Sequence, residues 1–256
     1  MIPALKAEFR KLLTVRSTYI LALVCLAITV LLALYIFGYR TASTPGAVIP
    51  SILYTSAVVT VIPAISLFIA LAAVLLVTHE YRYNTIGYSL TAARQRWVVV
   101  VAKIIAITVF AVIVSLVCAA LVPVLARLGL QLGGATQVTQ DFNMADMLLR
   151  AVFYGWASAM LGLLIALIIR SQVGAIVTIL LFPGLGESLL SLVLKDNAKY
   201  LPFTALNNTL TTGQGAHAAQ AAADALNQTQ SSLVVLAYLV AGTAVGILLF
   251  SKRDAS

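Results

Sequence analysis

Between Pro50 and Val77 the chain carries no charged residue, and between Ile104 and Ala126 it carries none again. Each run is long enough for a helix to cross a bilayer, which takes about 20 apolar residues. Neither leaves the polar face that a surface helix of a soluble domain needs. Further apolar runs occupy Thr18–Tyr39, Met147–Ile169, Gln172–Leu194 and Ser231–Phe250. Composition points the same way: 62% of the residues are hydrophobic and 9% charged, where a soluble domain carries roughly 25% charged residues. The expectation is an all-α polytopic membrane protein, a single domain over 1–256. Its six spans are placed at about 18–39, 51–77, 97–126, 147–169, 172–194 and 231–250.

The net charge is +8. The bases sit at the ends of apolar runs rather than in patches interleaved with aromatics, so membrane topology accounts for them better than nucleic acid does. Lys6, Arg10, Lys11, Arg16, Arg82, Arg94, Arg96, Lys103, Arg170, Lys252 and Arg253 fall on one face of a six-span arrangement. Only Arg40, Arg127, Arg150, Lys195 and Lys199 fall on the other. The positive-inside rule then puts both termini in the cytoplasm.

Residues 1–16 read as an amphipathic helix lying in the cytoplasmic interface. Ile2, Leu5, Phe9, Leu12 and Leu13 share one face, and Lys6, Glu8, Arg10 and Lys11 the other. The run that follows is too long for a signal-peptide core and lacks a clear small-residue cleavage site, so it is expected to stay as the first span. In the second span, Pro63 removes a backbone donor and is expected to kink the helix, with Ser56, Thr60 and Ser66 nearby. Gly155, Ala157, Ser158 and Gly162 give the fourth span a small-residue surface for close helix packing. Arg170-Ser171 is a tight turn between spans four and five.

The polar stretch Thr78–Lys103 separates two uncharged spans, and its bases place it in the cytoplasm. Tyr81, Thr85, Tyr88 and Leu90 make it more apolar than a solvated linker, and Asn84-Thr85 is suited to cap a short helix running to Ala93. A short structured helix hung below the membrane suits docking of a partner; the plain alternative is a basic inter-helix loop. The fifth span contains Pro183, Gly184 and Gly186, where the helix is expected to break, and Glu187, the one acid inside an apolar run. An intramembrane carboxylate marks function by default. Structural anchor or gate, substrate contact and proton relay are the three roles weighed, with Lys195 a cation within reach. Lys195–Gln230 is read as an outer segment whose Tyr200-Leu201-Pro202-Phe203 is apolar enough to lie at the membrane surface.

Several chemistries find no support. Cys25 and Cys118 are expected at depths roughly 20 Å apart from the ~1.5 Å helical rise, too far to bridge. His79-Glu80 lacks the second histidine of a zinc-protease helix, because position 83 is Tyr. There is no lysine-bearing phosphate loop for ATP, and no serine with a histidine at matching depth. No catalytic residue, metal site or cofactor in this chain is expected.

These residues together resemble the membrane subunits of bacterial ABC-2-type transporters. The likeness runs through Glu8, Lys11, Leu12, Thr14, Arg16 and Ser17 before the first span, then Glu80-Tyr81-Arg82, Thr85-Ile86, Leu90 and Arg94. It continues through Arg170-Ser171-Gln172, Glu187 with Leu201-Pro202-Phe203, and Arg253-Asp254. Two departures are Asn84, where members often have Gly, and the lack of a proline near Ala92-Ala93. The resemblance implies an exporter subunit of the bacterial cell membrane, pairing with a second permease subunit and with a cytoplasmic ATPase that binds ATP and Mg. It assigns ATPase coupling to Glu80, Tyr81, Arg82, Thr85, Ile86, Leu90, Arg94 and Arg96. Phe9, Arg10, Lys11 and Arg16 belong to the interfacial helix, and Pro63, Pro183, Gly184, Gly186 and Glu187 to the translocation path or gate. The rival readings are an ion-coupled transporter using Glu187 and a non-transporting scaffold or immunity protein.

Overall fold

The structure, a computed structural model, describes residues 2–41, 52–83, 96–134, 143–169, 171–210 and 226–252, and these hold helices and no strand. The N-terminal helix α1 spans Ile2–Thr14. The first membrane helix begins as α2, Arg16–Val30, and continues through a π-helical stretch, Leu31–Arg40. The second is α3, Ile52–Arg82; the third α4, Arg96–Leu132; the fourth α5, Met144–Ile169. The fifth joins α6, Gln172–Leu181, through the π-turn Phe182–Gly186 to α7, Glu187–Leu194. A 3-10 turn, Lys195–Tyr200, leads to the short helix α8, Pro202–Asn208, and α9, Gln228–Lys252, is the sixth. All six are long and apolar enough to cross a membrane, so the chain is a multi-pass membrane protein.

Burial separates the centre of the bundle from its edge. In the fourth span 67% of the most apolar window is buried, and in the fifth 11%. Small residues make the central contacts close. A Cβ on Gly162 would lie 2.7 Å from the carbonyl oxygen of Ala70, and one on Gly155 would run into the Ser115 hydroxyl. The fourth span therefore meets α3 and α4 through the glycines that its sequence offers for packing. At the far end, a Cβ on Gly38 would lie 2.6 Å from the Cα of Gly129, so the first and third spans touch backbone to backbone there.

That contact corrects the expected cysteine depths. The two helices run the same way, and Cys25 lies thirteen residues before Gly38 while Cys118 lies eleven before Gly129. At about 1.5 Å per residue the two depths differ by only about 3 Å. Cys118 meets the side chain of Thr29, one turn from Cys25, and both thiols are free and buried. The ~20 Å expectation failed because it started the third span level with the first, whereas α4 begins well below.

The helices also outrun their apolar runs. α3 continues through Thr78 to Arg82, and α4 through Arg127 to Leu132, so both stretches are helix rather than loop. Pro63 lies inside one unbroken 31-residue helix. Ser56, Thr60 and Ser66 each donate to a carbonyl of that same helix, Ser66 to Pro63 at 2.8 Å, the local bonding that hides a hydroxyl in an apolar setting. The break expected at Phe182–Gly186 is instead a wide turn through which the fifth span stays helical. Arg16 opens α2 rather than closing the N-terminal helix.

Candidate functional site

At the α1 end of the bundle four charges from three helices meet. Lys103 Nζ of α4 donates to Glu8 Oε2 of α1 at 3.0 Å and to Glu80 Oε1 of α3 at 2.7 Å. Lys11 Nζ donates to Glu8 Oε1 at 2.8 Å and also to Glu80 Oε1. The side chains of Glu8, Glu80 and Lys103 are 3–6% exposed, while that of Lys11 is 35% exposed. Two carboxylates and two ammoniums sum to zero, which is what lets four ionic groups sit at the edge of an apolar bundle. Burial works against the Lys11 ammonium, yet the hydrogen bonds to Glu8 and Glu80 prevail and hold its pKa above the ordinary lysine value.

The quartet sets the surroundings of three residues. Glu80 is the hub that joins α1, α3 and α4. Lys103 is 2% exposed. Glu8 does not lie on a solvated face of α1, because Glu8 and Leu12, one turn apart, are the buried pair, while Leu13 is 64% exposed. Phe9 is half-buried and Arg10 exposed. A signal for the pairing was present in the sequence. Lys103 stands inside a helix that is apolar on both sides of it, and an intramembrane charge implies a partner.

The remaining predicted coupling residues divide. Tyr81 is half-buried and packs against the core. Arg82 is exposed, donates to Gln172 Oε1 at 3.2 Å and lies 5.6 Å from the Tyr83 ring centroid, tying the end of the second span to the start of the fifth. Thr85, Ile86, Leu90 and Arg94 lie outside the described residues, as do Arg170, Asn84 and residues 211–225 of the outer segment. Arg96 opens α4.

Beside the quartet a crevice of about 580 Å³ opens between α1–α2 and α3. Lys11, Val15, Ser17, Thr18 and Leu21 line one wall, and Ala72, Leu75, Leu76, His79, Glu80 and Tyr83 the other.

At the opposite end Glu187 is 4% exposed. Its Oε1 accepts from the Phe203 amide at 2.7 Å; its Oε2 accepts from the Thr204 amide and the Thr204 hydroxyl, each at 2.7 Å. Phe203 and Thr204 follow Pro202, the first residue of α8. Proline has no N–H there, so the carboxylate takes the next two amide donors of the helix start and adds a negative charge at its positive end. Lys195 is exposed and is not the partner. The Tyr154 hydroxyl donates to Asn207 Oδ1 at 2.6 Å, and Gln228 Nε2 donates to the Thr209 carbonyl at 3.1 Å. The short helix is thus held to the fourth, fifth and sixth spans. Pro183 and Gly186 are half-buried and Gly184 is exposed; a Cβ on Gly186 would meet the Phe182 ring at 2.7 Å. Among the described residues no group of three or more His, Cys, Asp or Glu is placed to hold a metal.

A search of curated proteins finds no match to the chain. The sequence model of one protein family matches residues 20–256, a stretch that holds Glu80, Lys103 and Glu187 but not Glu8 or Lys11. The chain therefore belongs to the family described as "Protein of unknown function (DUF2705)".

Proposed function

We propose that this protein is the membrane permease subunit of an ATP-driven ABC exporter, with the α1 end in the cytoplasm. It would form half of a translocation path in the bacterial cell membrane beside a second permease subunit, identical or related. A separate ATPase subunit, carrying the ATP and Mg, would dock on the connection between α3 and α4. The observation that carries this reading is the ionic quartet. It fastens α1, the last turn of α3 and the first turns of α4 to one another, and residues 84–95 are the sequence that links two of those anchored ends. A push on that connection would pass to three helices as one body rather than be absorbed in a loose hinge. The capped helix α8 gives the other end a fixed closure suited to a gate. A proton carrier working through Glu187 is less favoured, because both oxygens of that carboxylate already accept hydrogen bonds.

The test is affinity purification of the protein from its own host, followed by ATPase assay of the complex. Ile86→Asp with Leu90→Asp should abolish ATPase capture, while Arg94→Ala should only weaken it, because apolar anchors carry more of such a contact than rim charges. Absence of any ATPase from the wild-type preparation, or wild-type capture by the double variant, refutes the reading; a scaffold protein would give the first result.

A further inference from the structure

The crevice beside the quartet has a polarity that runs along the helices that line it. On one wall the lining passes from Lys11 through Ser17 and Thr18 to Leu21; on the other it passes from Tyr83, Glu80 and His79 to Leu76, Leu75 and Ala72, with the Glu80 carboxylate paired to Lys11 and Lys103. Residues 72, 75, 76, 79 and 83 fall on one face of α3 at helical spacing, and 11, 15, 18 and 21 follow the same rhythm across the α1–α2 junction. The polar ends of both walls lie together, near the α1–α2 junction and the last turn of α3, where Lys11 meets Glu80. The volume, about 580 Å³, falls within the range of pockets that hold small molecules.

We infer that this crevice binds one anionic glycerophospholipid, its phosphate among Lys11, Ser17, Thr18 and His79 and the start of an acyl chain along Leu21, Leu75 and Leu76. The charge around the mouth favours an anion. The quartet is neutral, and the bases of the same helices outside it, Lys6 and Arg10 of α1, Arg16 at the start of α2 and Arg82 at the end of α3, are exposed. The two acids described at this end, Glu8 and Glu80, are committed to Lys11 and Lys103. Juxtamembrane basic residues attract anionic leaflets. The first turn of α2 contains no acid, and its Val15 start has no side-chain cap. The apolar half of the crevice selects a lipid over a soluble phosphate. This inference does not depend on the transport reading.

The experiment uses the full chain, purified in detergent, stripped of lipid, and titrated with phosphatidylglycerol or phosphatidylcholine under native mass spectrometry. Wild-type protein should retain one phosphatidylglycerol at least tenfold more tightly than phosphatidylcholine, and glycerol phosphate should not compete. Ser17→Asp places a repelling charge at the phosphate position while favouring the start of α2, so it should weaken that binding about tenfold, or about 1.4 kcal/mol, without lowering the melting temperature. Leu75→Trp fills the apolar half and should weaken both lipids. Lys6→Glu changes the same end by more charge but lies outside the crevice, and should have less effect than Ser17→Asp. Equal retention of the two lipids, competition by glycerol phosphate, wild-type binding by Ser17→Asp or Leu75→Trp, or a larger loss in Lys6→Glu would each overturn the assignment.

Discussion

Replacing Lys103 with methionine tests whether the quartet organises the α1 end. Methionine keeps most of the buried length and volume but removes the ammonium that reaches Glu8 at 3.0 Å and Glu80 at 2.7 Å. Two buried carboxylates are then left to Lys11, whose side chain is 35% exposed. Breaking a buried pair by removing one partner costs about 3–5 kcal/mol, whereas removing a half-exposed partner costs up to about 1 kcal/mol. Lys103→Met should therefore destabilise far more than Lys11→Met. Adding Glu8→Gln to Lys103→Met restores neutrality and should recover about 1–3 kcal/mol, a coupling of the size expected for residues in contact. Thermal and denaturant unfolding in detergent measures the ranking, and tryptic cleavage at Lys6 and Arg10 reports release of α1. A cost below about 1 kcal/mol for Lys103→Met, or strict additivity in the double variant, would refute the quartet as a buried network.

Glu187→Ala leaves two amide donors at the start of α8 without their acceptor and should cost about 2–5 kcal/mol, seen as lost hydrogen-exchange protection at Phe203 and Thr204; Glu187→Gln should fall between alanine and wild type. Gly129→Ala drives a methyl into the backbone of the first span and should lower the melting temperature more than Gly134→Ala, although Gly134, unlike Gly129, has a positive φ, +84°, because no atom lies within 4 Å of the Gly134 Cβ position. The Lys11 pKa is raised, so its contribution to holding α1 is complete below the ordinary lysine value of about 10.4 and fades as pH rises through the elevated folded value. Tryptic protection of Arg10 should thus not lose this contribution between pH 6 and 9, roughly the range well below that value.

The number and order of the spans were legible because lipid-spanning segments announce themselves by length and lack of charge. The ends were less legible. Hydropathy stops where charge begins, but α3 continues five residues past Val77 because Glu80 finds cations on other helices. Sequence spacing shows which residues share a helix face, not which face meets another helix, and so Glu8 looked solvated on α1 although it is buried against α4. Depth estimates failed similarly for Cys25 and Cys118, since a stagger between helices leaves no mark in either one. The carboxylate of Glu187 was conspicuous as an isolated acid, but its acceptor role was not: backbone amides have no letter in a sequence. Only Pro202, which marks a helix start, pointed to where those amides would be.

The capping of α8 has a consequence for the order in which the chain is made. Glu187 leaves the ribosome sixteen residues before Phe203 and seventeen before Thr204, a lag of about 1–3 s at ordinary elongation rates. Throughout that interval the fifth span holds an acid whose final ligands have not yet been synthesised. The cap closes only after residues 195–204 have followed Glu187 out. The fifth span and α8 are thus one unit of folding, locked by a bond between an early side chain and a late backbone.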